Sequence, residues 1–297
     1  MNNYYEMKIF INPDFEDLMT DFFFTNFDCE GVVPVEETYK DLEITSTTRG
    51  CMKVFLKSYP NNLENILKNE RELLLSRGLT SDELGSWEFS IEEKENQDWS
   101  KKWKEKWTVT HVGEKIAVVP SWIDYTKKEN EVIITLDPGS AFGTGTHQTT
   151  QLCMKALEKY LKPDDKVADI GTGSGILAIL AKKLGASTVY ACDNDETVIN
   201  VCKENAKINQ TEDIVFELNT ADKITTQFDF ICANILHFVL AEIMNDLKNI
   251  LKPNGYLSLS GILEEKKDMV LDAIKRENLK IVETLNQDQW ISYIVTK

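Results

Sequence analysis

The sequence predicts an α/β protein, with a doubly wound, mostly parallel sheet preceded by a smaller α+β unit. Three observations carry this reading. From residue 151 onward, strand-like and helix-like stretches alternate strictly. The first 95 residues follow a different order, β-α-β-β-α-β. A polar, basic stretch bearing three tryptophans separates the two regions. Strict alternation implies parallel strands joined by crossover helices, so both faces of the sheet are covered. The 297 residues also exceed what one core usually serves.

In the first region, EMKIFI (6–11) reads as a strand. PDFEDLMTDFFFTN (13–26) reads as an amphipathic helix with Pro13 near its first turn. GVVPVEE and RGCMKVFLKSY supply two more strands. Residues 61–79 form a second helix, with Leu63, Ile66, Leu67, Leu73 and Leu74 on or near one face and Gly78 as its stop. SWEFSIEE (86–93) closes the set as a strand. This is the order of the split βαβ, ferredoxin-like unit, placed at residues 1–95.

Residues 96–113 are expected to be a linker. Within it Trp99, Trp103 and Trp107 stand at steps of four, one aromatic stripe if the segment is helical. Such a stripe packs on a domain or contacts a substrate. The larger domain is placed at 114–297. Two strand-like stretches, 114–122 and 131–139, lead into DPGSAFGTGTHQTT (137–150). Seven strands follow, separated by helices, and the closing pair LKIVETLNQ and WISYIVTK is joined by only two residues, which requires one antiparallel strand.

Composition narrows the function. Hydrophobic residues make up 42% and charged residues 28%, as in globular proteins. The net charge of −16 disfavours direct nucleic-acid binding, which needs a basic face. Residues 1–95 carry 9 Lys and Arg against 20 Asp and Glu, a balance of −11. That charge serves solubility or steers a basic protein partner. No apolar run is long enough to span a bilayer, and MNNYYEMKIF lacks the features of a signal peptide. Cytoplasmic residence without a membrane role is expected, and a monomer. Six cysteines without a C-x-x-C pair and three unclustered histidines give no reason to expect a metal.

The second glycine-rich run, ADIGTGSGILAI, places Gly171, Gly173 and Gly175 between a strand end and a helix. Glycine there lets the backbone approach a ligand and adopt positive φ. The spacing is G-x-G-x-G rather than the G-x-G-x-x-G of nicotinamide enzymes. The next strand ends at Asp193, 22 residues beyond Gly171, where a carboxylate can accept hydrogen bonds from both hydroxyls of a ribose. The competing role for Asp193 is a helix cap, which Asn194 or Asp195 could fill instead.

VADIGTGSGILAI together with ACDND resembles the class I methyltransferase (Rossmann-like) fold, which binds S-adenosyl-L-methionine. LDPGSAFGTGTHQTT, CANIL and QDWSKKWKEKW…PSW are similar to one family within it, the ribosomal protein L-eleven methyltransferases (PrmA). The resemblance runs along the whole chain and is most specific at 96–122 and 136–261. It implies a ferredoxin-like domain that recognises the substrate protein and a linker that lets the catalytic domain move. The family's cofactor contacts fall on Thr150, Gly171, Asp193 and Asn234, with Gly173 in the same turn. Phe142, Gly143 and Thr144 of the GTGTH loop would lie near the reacting end of the cofactor. The family usually has Pro where this chain has Gln148.

The implied reaction is methylation of amines of ribosomal protein L-eleven, at lysine side chains and the N-terminal α-amine. Methyl transfer from a sulfonium to an amine is a direct displacement and needs alignment rather than a nucleophilic side chain. No dedicated base is therefore expected. Asn234 and the loop backbone would orient the amine, and His147 would handle a proton or make a structural hydrogen bond. Asn234 opens NILH, without the prolines and Tyr of the N-P-P-Y used on planar substrates, which favours an aliphatic amine. Alternatives are methylation of another protein or a small molecule, a nicotinamide dehydrogenase, and a binding module without catalysis.

Overall fold

The computed structural model describes residues 4–12, 15, 19–20, 22–23, 26–35, 50–94, 108–136 and 145–297. It divides into two compact units, residues 1–107 and 108–297.

In the first unit β1 (Tyr4–Ile11), β2 (Cys29–Val35), β3 (Gly50–Leu56) and β4 (Phe89–Lys94) form one sheet in the order β2-β3-β1-β4. Every pairing is antiparallel, which is the ferredoxin-like arrangement. Period-two alternation sends Met7, Ile9 and Ile11 to one face, where Val54 and Met52 lie opposite Met7 and Ile9. Leu63, Leu67 and Leu74 of α1 (Leu63–Ser76) complete that core. Each such buried side chain contributes about 1.5–3 kcal/mol. The helix expected over 13–26 falls partly outside the described residues, but Phe15, Met19, Phe22 and Phe23 are buried. A short helix absent from the sequence reading, α2 (Ser81–Leu84), begins with a reciprocal cap. Thr80 Oγ1 accepts from Glu83 N at 3.3 Å, and Glu83 Oε2 accepts from Thr80 N at 2.6 Å.

The second unit opens with a three-stranded sheet of β5 (Thr110–Val112), β6 (Ile116–Val119) and β7 (Val132–Thr135). β5 lies inside the stretch expected to be linker, so regular structure begins earlier than residue 114. Its three residues are too few to show a period. Then follow α3 (Gln148–Tyr160), β8 (Lys166–Ile170), α4 (Ile176–Lys183), β9 (Thr188–Asp193), α5 (Glu196–Ile208), β10 (Val215–Leu218) and β11 (Phe228–Asn234). α6 (His237–Ile250), β12 (Leu251–Leu263), α7 (Lys267–Arg276), β13 (Lys280–Gln287) and β14 (Trp290–Thr296) end the chain.

The seven-stranded sheet runs β10-β9-β8-β11-β12-β14-β13, and β14 alone is antiparallel to the parallel set. Alternate residues face the two helical layers. Phe230 and Cys232 join the core under α3, α4 and α5, whereas Ile231 and Ala233 join the core under α6 and α7. Successive strands run outward from β8 to β10 on one side and from β11 on the other. The direction reverses between β8 and β11, and ligands of such sheets bind at the carboxyl ends beside that reversal.

Candidate active site

Strand register builds the site. Ile170 at the end of β8 lies opposite Cys192 of β9 and Ala233 of β11. The next residues, Gly171, Asp193 and Asn234, therefore sit side by side at three neighbouring strand tips. Asn234 in turn lies opposite Ser260 of β12.

The glycine turn leaves β8 in left-handed backbone, with φ of 71° at Gly171, 53° at Gly173 and 81° at Gly175. The N–H groups of Gly171 and Thr172 both donate to Cys192 O, at 2.9 and 3.0 Å, tying the turn to β9. Asp193 Oδ2 accepts from Gly173 N at 3.1 Å, and its Oδ1 accepts from Asp195 N at 3.2 Å. The helix-cap role belongs to Asp195, which accepts from Thr197 N at 2.8 Å. Asp193 is thus left at the site. Burial raises its pKa, opposed by the N–H groups of Gly173, Asp195 and Asn194.

Three residues that sequence reasoning did not single out hold this turn. Asp169 is buried, and its Oδ2 accepts from Thr172 Oγ1 at 2.7 Å and Ala178 N at 3.2 Å. Burial pushes its carboxyl up to about 7, with the charge of Asp193 adding to the effect and the two hydrogen bonds opposing it. On α5, Asn205 Nδ2 donates to Ser174 O at 2.8 Å, and the Cys202 thiol points at Gly173 O, also 2.8 Å away. No local pattern signals Cys202 and Asn205, which reach the turn from 29 and 31 residues away.

Thr150 is fully buried in the first turn of α3, where its Oγ1 accepts from Asn234 Nδ2 at 3.2 Å. The pair is 84 residues apart in the chain. Ser260 Oγ donates to Thr149 O at 3.0 Å, fixing the same turn to β12. Asn234 Oδ1 and Asp169 Oδ1 are buried without a hydrogen-bond partner. Leaving such atoms unsatisfied costs about 1–3 kcal/mol each, so they mark a place prepared for a donor.

His147 caps α3. Its Nδ1 accepts from Thr149 N at 3.3 Å and lies 2.7 Å from Thr149 Oγ1. Its ring meets Trp290 edge-on, with centroids 4.9 Å apart. Trp290 was not anticipated, because only tertiary packing brings β14 to this helix. Gln148, at the position the family usually gives to Pro, donates to Asp288 Oδ2 at 3.2 Å. Phe142, Gly143 and Thr144 lie outside the described residues. Replacing His147 with Ala should lower stability by about 0.5–2 kcal/mol through the lost cap, measurable as a lower melting temperature. Unchanged melting would show that the cap contributes nothing.

The donor set fits a cationic nucleoside. The Asp193 carboxylate has the acceptor chemistry that sugar hydroxyls require, and the partnerless Asn234 Oδ1 is an acceptor suited to an N–H-bearing group. Among the described residues no group of three His, Cys, Asp or Glu side chains could hold a metal ion. No helix of the described residues is long and apolar enough to cross a membrane.

Residues 3–297 match the family described as Ribosomal protein L11 methyltransferase (PrmA). A protein of that name from Caldicellulosiruptor saccharolyticus is 39% identical over 236 residues, 80% of this chain and 75% of the relative. Its namesake from Alkaliphilus oremlandii is 35% identical over 278 residues, covering 92% and 87%. The crystal structure of ribosomal protein L11 methylase from Lactobacillus delbrueckii subsp. bulgaricus is similar with a TM-score of 0.61 and 36% identity. That match covers 64% of this chain and 99% of the other. With residues 3–297 matched, the protein belongs to the ribosomal protein L11 methyltransferase family.

Proposed function

We propose that this chain methylates amines of ribosomal protein L-eleven, at lysine side chains and the N-terminal α-amine, using S-adenosyl-L-methionine. The observation that carries the reading is the buried Thr150–Asn234 pair, whose partnerless Oδ1 stands one strand away from the glycine turn and two from Asp193.

Asp193 would hold the ribose, and Gly171 and Gly173 would let the backbone lie against the cofactor. The bound cofactor supplies an electrophilic methyl carbon on a positively charged sulfur. Asn234 Oδ1 would accept a hydrogen bond from the substrate amine and aim its lone pair. For a lysine of ordinary pKa, the neutral amine costs about 4–5 kcal/mol at pH 7. The positive charge of the cofactor's sulfur lowers that cost by disfavouring the ammonium beside it. Phe142, Gly143 and Thr144 of the GTGTH loop are proposed to lie near the reacting end of the cofactor. His147, engaged as a cap, is proposed to orient that loop rather than to act as a base.

Residues 1–95 are proposed to recognise the substrate, with the linker ending before β5 rather than at residue 113. Their balance of −11 suits a basic partner and opposes direct nucleic-acid contact. We place the protein in the cytoplasm as a monomer.

Radiolabelled S-adenosyl-L-methionine mixed with the protein and a ribosomal protein extract should label a single small basic band. Label on a different protein would remove the substrate assignment, and cofactor binding without any label would favour a module without catalysis. Replacing Asp193 with Ala should weaken cofactor binding by about 1–3 kcal/mol, read by calorimetry. An unchanged affinity would remove Asp193 from the sugar site.

A further inference from the structure

We propose that Ile235 is a positioning residue that fixes the Asn234 carboxamide at the strand tip, in a seat made by Gly171 and Gly261. This rests on the reading of Asn234 as the group that orients the amine.

Ile235 is the first residue beyond β11 and is half-buried. Its N–H donates to Ser260 O at 3.2 Å. A Cβ on Gly261 would lie 2.3 Å from Ile235 O, 2.8 Å from its C and 3.1 Å from its N. A Cβ on Gly171 would lie 2.4 Å from Ile235 Cγ2. Ordinary contacts do not reach such values, so neither neighbour could carry a side chain without moving Ile235.

The two glycines come from different elements, and each has a positive φ, 71° at Gly171 and 85° at Gly261. Gly261 also falls where the pairing of β12 with β14 shifts register, between Leu259 and Ile262. A shift there turns the backbone of β12 so that it can approach Ile235 closely. An isoleucine that merely filled core would pack against Cβ-bearing neighbours and require neither glycine. Here its backbone is pinned on the β12 side and its β-branched side chain, stiff at χ1, on the β8 side. Pinning the residue after Asn234 fixes the direction in which the chain leaves the strand. The carboxamide is then held against Thr150 with its Oδ1 turned to the site.

The test is a set of variants read three ways: melting temperature, the dissociation constant for S-adenosylhomocysteine, and kcat on ribosomal protein L-eleven. Ile235→Ala should lower kcat at least tenfold, since small misplacements of an aligning group carry penalties of about that order or more. Its dissociation constant should change less than threefold. Ile235→Val, which keeps Cγ2 and the stiff χ1, should retain most of kcat. Gly171→Ala should lower the melting temperature, and adding Ile235→Ala should lower it no further, because the atom struck by the new Cβ is gone. The drop from Gly261→Ala should instead add to that of Ile235→Ala, because that clash is with backbone. Additive drops for the Gly171 pair, or a kcat loss matched by an equal loss of cofactor binding, would overturn the proposal. A wild-type chain that neither binds the cofactor product nor methylates would overturn the functional reading, whereas additive melting at the Gly171 pair alone would refute the seat.

Discussion

Gly261→Ala is expected to destabilise the 108–297 unit by about 2–5 kcal/mol. A non-glycine residue in left-handed backbone costs about 1–2 kcal/mol, and Gly261 has a φ of 85°. The added methyl would also lie 2.3 Å from the carbonyl oxygen of Ile235. That atom is backbone at the end of a central strand, so relief requires moving β11 or β12, and overpacking of this kind costs about 1–3 kcal/mol more. In a unit of this size each kcal/mol lowers the melting temperature by about 2–4 °C. A drop of at least about 4 °C should therefore be seen by calorimetry. A variant melting with the wild type would show that the close approach is not a constraint.

The second large effect is a pH dependence carried by Asp169. Its carboxyl titrates near 7 in the fold and near 3.9 in the unfolded chain. A raised folded pKa means that the native state holds the proton more tightly, so the stability it contributes is complete below pH 4. That stability is lost as pH rises from about 4 through 7. Three units correspond to about 4 kcal/mol. Other groups slope the opposite way, since Glu131 and Asp229 are held below their ordinary range. Comparison with Asp169→Asn isolates the effect, as the amide oxygen can still accept from Thr172 and Ala178. Without cofactor, the wild type should lose stability relative to Asp169→Asn between pH 5 and 8, measured by denaturant unfolding at each pH. Parallel profiles would show that Asp169 ionises freely inside the fold.

How much of this was legible follows from which interactions are local. Strand ends and caps were readable, because a strand's apolar run and the Asp195 cap lie within a few residues of each other. That locality also showed that Asp193 need not serve as the cap. The seven strands and the single antiparallel one followed from alternation and a two-residue connection. Asp169, Cys202 and Asn205 were not readable, because their role depends on turns that fold back across 9 to 31 residues. Gly261 did leave a signal. A glycine at the end of the strand-like GYLSLSG is compatible with a bulge or a close backbone approach, but does not say which backbone approaches. Two strands of the three-stranded sheet were read, at 114–122 and 131–139, whereas β5, only three residues long, was absorbed into the linker. Thr150 and Asn234 were named only through the family resemblance, and their pairing was not readable, since no local pattern joins residues 84 apart.

The central claim is that Gly171, Asp193 and Asn234, on three adjacent strand tips, form one cofactor cradle. It is tested most directly by a crystal of this chain grown with S-adenosylhomocysteine. The sugar hydroxyls should lie on the Asp193 carboxylate, with the sulfur end directed toward Asn234. Density for the compound elsewhere, or a sugar remote from Asp193, would contradict it.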